Sequence, residues 1–83
     1  MYNWVYVDYS ELEGDVYFET PKVYGSKKAA MEAFNARVKK VMEEEINEWD
    51  DIINKIESPG YLHLCVNYNN YYTIYVKRVK VRE

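Results

Sequence analysis

Along the chain, apolar and polar residues alternate in four short stretches and recur every three or four positions in one long stretch. Residues 3–11 (Asn-Trp-Val-Tyr-Val-Asp-Tyr-Ser-Glu) carry Val and Tyr in alternation and predict a strand. Glu13-Gly14 predicts a tight turn, with Gly supplying positive φ, into a second strand over 15–24. Pro21 near the end of that strand points to an edge position or a bulge. Ser26 is an N-cap candidate. After it, Ala30, Phe34, Val38, Met42, Ile46, Trp49, Ile53 and Ile56 follow the 3.6-residue period of one helical face. The spacing predicts a helix from about 27 to 57, ending at Ser58-Pro59-Gly60, with a second short helix from Asn47 or Asp50 as the alternative. Residues 61–68 and 71–82 predict two further strands, joined by a turn at Asn69-Asn70. The expected architecture is α+β in the order ββαββ, one long helix packed on one face of a four-stranded antiparallel sheet.

Period-two alternation assigns the faces. Val5, Val7 and Tyr9 oppose Trp4, Tyr6 and Asp8, while Val16 and Phe18 oppose Tyr17 and Glu19. Leu62, Leu64 and Val66 oppose Tyr61, His63, Cys65 and Asn67, and Tyr72, Ile74 and Val76 oppose Tyr71, Thr73, Tyr75 and Lys77. The aliphatic sides are expected under the helix. The other sides then form one aromatic surface of Trp4, Tyr6, Tyr17, Tyr61, His63, Tyr71 and Tyr75. Tyrosine offers a large ring with a polar tip and loses little rotamer entropy on binding, so these residues are the candidate partner-binding site. The plainer reading is that Tyr is a good strand former on a half-wet sheet. Arg78 followed by Val79 and Val81 suggests a bulge that swaps faces late in the last strand.

Composition narrows the classes. Eighty-three residues allow a single domain, 1–83, and ten of them are tyrosine. The formal charge of −3 makes non-specific binding to a phosphate backbone an unfavourable reading. Cys65 is the one cysteine, which excludes an intramolecular disulfide and fits a reducing cytosol; the expected location is cytoplasmic. No apolar run approaches the ~20 residues of a membrane span.

Candidate chemistry is sparse. His63 and Cys65 share a strand side, but zinc takes four ligands, so no metal and no cofactor is expected. Phosphate-loop, Gly-x-Ser-x-Gly and His-Glu-x-x-His patterns are all missing from the sequence, and the expectation is not an enzyme. On the expected helix, Lys27, Lys28, Arg37, Lys39 and Lys40 precede Glu43, Glu44, Glu45, Glu48, Asp50 and Asp51. That order opposes the helix dipole and fits either an antiparallel helix pairing in a dimer or an ordinary solvated face. The acidic run could also imitate a phosphate backbone. Lys77, Arg78 and Lys80, with Arg82, form a basic tail that suits an anionic ligand or protects a sheet edge.

The stretch Val23-Tyr24-Gly25-Ser26-Lys27-Lys28-Ala29-Ala30-Met31-Glu32-Ala33-Phe34 runs a strand end through an N-cap into a helix with Ala and Phe on its inner face. It resembles the many small proteins of bacteriophages and mobile elements of low-GC bacteria, several of which inhibit host defence systems such as CRISPR nucleases. The resemblance covers these twelve residues and carries over no site residue. It implies a non-catalytic protein that works by binding. The leading expectation is therefore a binding protein, homodimeric, that engages a partner protein through its tyrosine-rich sheet face, in its phage form an inhibitor of host defence. The alternatives are a sponge or sensor for a nucleotide-like molecule, with rings stacking the base and Lys77, Arg78 and Lys80 on the phosphates, and a purely self-assembling structural protein.

Overall fold

A computed structural model describes residues 1–82. The elements are β1 (Tyr2–Leu12), β2 (Asp15–Phe18), β3 (Lys22–Tyr24), α1 (Lys27–Lys40), a π-helical turn (Val41–Glu45), β4 (Ile52–Ser58), β5 (Tyr61–Val66) and β6 (Asn70–Lys80). All strand pairs are antiparallel. The sheet order is β2-β1-β6-β5-β4, with β3 also pairing to β1. The protein is α+β with one α-helix over one face, as expected, but the sheet has more strands than the predicted four.

The expected second strand is present in two pieces. β2 pairs with residues 9–12 of β1 and β3 with residues 4–6, and the ladder breaks at Glu19-Thr20-Pro21. Proline lacks the N–H that a ladder needs, so the break and the edge position go together. The Glu13-Gly14 turn forms as predicted. Both residues have positive φ, 53° and 89°, which matches the right-handed twist of a two-residue hairpin.

The helix begins where the sequence placed it, with Ala29 N–H donating to Ser26 Oγ at 3.2 Å. It does not continue to residue 57. The α-helix stops at Lys40, one π turn follows, and Ile46 N–H closes that turn on the Val41 carbonyl. Beyond it, Asn47 Oδ1 accepts from Trp49 N–H and Asp50 Oδ2 accepts from Asn47 N–H. These side chains offer the backbone a local alternative to helix, which is why Asn and Asp favour turns. Asn67 fastens this turn to the rest of the molecule: its Oδ1 accepts from Asp51 N–H and its Nδ2 donates to Asp50 Oδ1.

Residues 52–58 are thus strand rather than helix, and neither expected form of a helix over 47–57 exists. The β-branched Ile52, Ile53 and Ile56 fit this state, and Pro59-Gly60 turns the chain into β5 with Gly60 at φ +77°. Of the expected helical stripe, Ala30 and Phe34 are buried and Val38, Met42 and Ile46 pack on the core, whereas Trp49, Ile53 and Ile56 are exposed. Val41, absent from that stripe, is fully buried. The acids of residues 48–51 lie outside the helix, but the π turn extends α1 and carries Glu43, Glu44 and Glu45 beyond the basic Arg37, Lys39 and Lys40, so the helical segment still ends in acids against its dipole.

The turn before β6 also differs. Asn67 and Tyr68 hold the positive φ values and Asn70 already pairs with Leu12, so the turn lies earlier than Asn69-Asn70. No bulge interrupts β6. Its ladder with β1 runs unbroken from Asn70 to Lys80, and the irregularity sits in β4 between Ile52 and Asn54.

The core lies between α1 and the centre of the sheet. Leu62, Leu64 and Ile74 are fully buried beside Phe34, Val66 and Tyr72. Burying each large aliphatic side chain contributes about 1.5–3 kcal/mol. At 1.5 Å per residue the 14 residues of α1 reach about 21 Å, shorter than the 11-residue β1–β6 ladder at roughly 36 Å. The helix therefore covers the middle of one face and leaves the other face bare.

Candidate functional site

Cross-strand partners in an antiparallel sheet share a face, so the register sorts every strand residue. Leu62, Leu64, Tyr72 and Ile74 lie under the helix and Tyr61, His63, Tyr71 and Tyr75 lie on the bare face, as the alternation predicts. β1 is inverted relative to that expectation. Tyr6 pairs with Val76, Asp8 with Ile74 and Ser10 with Tyr72, so these three belong to the helix side, where all are buried. Trp4, paired with Tyr24 and Arg78, and Tyr17, paired with Ser10, lie on the helix side too. Trp4, Tyr6 and Tyr17 thus leave the predicted aromatic surface.

Their places on the bare face are taken by Val5, Val7 and Tyr9 of β1, by Val16 and Phe18 of β2 and by Val23 of β3. The face therefore carries a continuous band of Val5, Val7, Tyr9, Phe18, Tyr61 and Tyr75. Phe18 stands 59% exposed and meets Tyr9 edge-on at 6.4 Å between ring centroids. His63 Nδ1 and Thr73 Oγ1 are 3.0 Å apart on this face, and Cys65 is a buried free thiol. Tyr71 has its phenol pushed above the ordinary value, chiefly by the neighbouring Cys65. Charge on the face is limited to its ends: Glu11 opposite Tyr71, and Lys77 opposite Val5.

The basic tail does not converge. Lys77 is on the bare face, whereas Arg78 and Trp4 share the helix side, and Arg78 lies over the Tyr2 ring at 4.4 Å. His63 and Cys65 gather no further metal-ligating groups: among the described residues no three His, Cys, Asp or Glu side chains come together. No helix among the described residues is long and apolar enough to cross a membrane.

The inversion of β1 builds a second feature that the alternation missed. Tyr6, Asp8, Ser10 and Leu12 form the floor of a cleft of about 510 Å³, with Ala33, Arg37 and Lys40 of α1 on one wall and Tyr17, Glu19, Lys22 and Tyr24 on the other. Arg37 Nε donates to Asp8 Oδ2 at 2.7 Å, Arg37 also pairs with Glu45, and the Tyr6 hydroxyl donates to the same Asp8 oxygen at 3.3 Å. Burial disfavours the Arg37 cation, but the Asp8 and Glu45 carboxylates outweigh it and hold its pKa above the ordinary value. Burial, with Asp8 second, pushes the Tyr6 phenol up, so at neutral pH it is a fixed donor. The signal for this feature was Asp8 itself. An Asp between Val7 and Tyr9 belongs to the solvent side only if that side is wet, and here the polar side of β1 faces inward to meet Arg37. No family model, curated protein or solved structure matches this chain.

Proposed function

We propose that this chain is a non-catalytic binding protein whose bare sheet face docks a partner protein. One observation supports the reading most: a sheet covered by a helix on one face presents Val5, Val7, Tyr9, Phe18, Tyr61 and Tyr75 to solvent on the other. Strand spacing and rise give this face an area of about 600 Å². Two such sides come to about 1,200 Å², the lower end for a specific protein–protein interface. The apolar part of this face falls in the range of the largest patches that monomers carry, which are often interaction sites. Charge complementarity describes the occupant: an uncharged, apolar protein surface with a base placed for Glu11 and an acid placed for Lys77.

A photo-cross-linking phenylalanine analogue tests this at position 75 on the face and at the exposed position 32 of α1. Adducts to one defined second protein from position 75, and none from position 32, are the expected result. Adducts only to the chain itself would assign the face to a second copy, and no adducts from position 75 would overturn the docking reading.

A further inference from the structure

We propose that the cleft between α1 and the β1–β3 edge binds a free small zwitterion, a molecule carrying an ammonium or guanidinium and an anionic group on one short skeleton. This site is independent of the bare face, because its lining lies on the opposite side of the sheet.

The floor of the cleft is polar where the rest of the layer is not. β5 and β6 present Leu62, Leu64 and Ile74 to the helix, and these satisfy the core without polar atoms. β1 instead presents Tyr6, Asp8 and Ser10 to the same layer, each no more than 5% exposed. Packed apolar residues would serve stability there as well as a buried ion pair does, and often better. The polar floor is therefore explained by what it faces, and it faces a cleft. The volume of about 510 Å³ lies within the range of small-molecule sites, which combine hydrophobic or aromatic walls with a few convergent polar groups.

Charge selects the ligand class. The lining holds three cations, Lys22, Arg37 and Lys40, and three carboxylates, Asp8, Glu19 and Glu45. A simple anion would approach the cations only by also facing three carboxylates, and a simple cation meets the converse problem. A molecule bearing both signs can satisfy both sets. Arg37 already spends Nε on Asp8 and Nη1 on Glu45, and among the described residues its Nη2 has no hydrogen-bond partner. That nitrogen remains a donor for a ligand carboxylate or phosphate. Tyr17 and Tyr24, exposed and half-buried on the outer wall, bring aromatic rings near the ligand's cationic end. The cleft opens to solvent past the exposed Glu19, Lys22 and Lys40, so a free small molecule can enter without unfolding.

The test is a thermal-shift and calorimetric screen of the intact chain with free amino acids and phosphoethanolamine. At about 10 mM probe, a ligand with a dissociation constant near 0.1 mM raises the melting temperature measurably. Each amino-acid binder is then compared with its methyl ester, which lacks the carboxylate, and phosphoethanolamine with ethanolamine, which lacks the phosphate; the N-acetyl form of each lacks the ammonium. The expected result is a binder that both modifications weaken by about tenfold or more. Lys40→Ala and Glu19→Gln alter exposed rim residues and leave the fold intact by circular dichroism. Each is expected to weaken the same binder by several-fold, whereas Lys77→Ala on the bare face changes nothing. No binder in the panel, a binder that tolerates loss of either its anion or its cation, or a binder indifferent to either rim substitution would overturn the proposal.

Discussion

Arg37 reaches from the helix to Asp8 on β1, its Nε 2.7 Å from Oδ2, and this pair ties α1 to the inverted strand. Asp8 is 5% exposed, so removing its partner leaves a carboxylate with little solvation. Arg37→Ala is expected to cost about 3 kcal/mol, the lower end for breaking a buried pair, because Arg37 keeps some exposure. The double substitution Asp8→Leu with Arg37→Leu removes both charges and is expected to recover most of that loss. Urea denaturation of wild type, single and double variants checks both statements. A single variant as stable as wild type would show that Asp8 is solvated in solution.

The two sides of the sheet respond differently to loss of a tyrosine. Tyr6 lies in the core and Tyr75 on the bare face, although the sequence pattern put them together. Tyr6→Ser is expected to destabilise by about 3–5 kcal/mol, as for other large-to-small core changes. Tyr75→Ser is expected to change stability by less than about 1 kcal/mol. For docking, the informative triple variant is therefore Tyr9, Tyr61 and Tyr75 to Ser, which leaves the core alone. Equal losses from Tyr6→Ser and Tyr75→Ser would mean that both faces are covered.

Which parts of this fold were legible follows from where local rules act alone. The β1–β2 turn and the Ser26 cap depend on a few adjacent residues, and the Glu13-Gly14 and Ser26-x-x-Ala29 patterns read correctly. The same holds for β5 and β6, whose aliphatic sides are unambiguous. β1 failed because both its sides are partly apolar: Tyr6 competes with Val5 and Val7, and the decision rests on a contact with Arg37, twenty-nine residues away. The 47–57 segment failed because Trp49, Ile53 and Ile56 happen to fit a helical period. The determinants against helix were the Asn47 turn, its fastening by Asn67, and the β-branched isoleucines ahead of Pro59-Gly60. The cleft needed both corrections at once, since Glu45 can meet Arg37 only where the helix ends early.

Gly60 is the backbone position on which the corrected β4–β5 hairpin depends. Its φ of +77° disfavours any residue with a Cβ, and that Cβ would lie 3.4 Å from Met31 Sδ and 3.7 Å from Val76 Cβ. Its carbonyl also accepts from Val76 N–H at 2.8 Å, so the turn is fixed to β6. Gly60→Ala is expected to cost about 1–2 kcal/mol from the left-handed conformation. Gly25→Ala, where no atom lies within 4 Å of the added carbon and φ is not in that region, is expected to be near neutral. Thermal melts of the two variants make the comparison, and equal melting temperatures would argue against the hairpin.

Alkaline pH tests the burial of the Tyr6 and Tyr72 phenols. Burial raises the pKa of Tyr6, helped by the Asp8 carboxylate, and burial likewise raises that of Tyr72. A phenol whose folded pKa lies above its unfolded value near 10.0 stays protonated in the native state while the unfolded chain ionises. Its contribution is complete below pH 10 and is lost as pH rises from there. Each such phenol lowers stability by up to about 1.4 kcal/mol per pH unit over that window. The urea midpoint is therefore expected to show no phenol-driven fall below about pH 9 and to fall steeply above about pH 10. Tyr6→Phe keeps the ring and removes the ionisable group, so its midpoint is expected to fall less steeply than that of wild type, with Tyr72 still contributing. If Tyr6→Phe and wild type lose stability in parallel above pH 10, Tyr6 ionises alike in the folded and unfolded chains, and the floor of the cleft is wet.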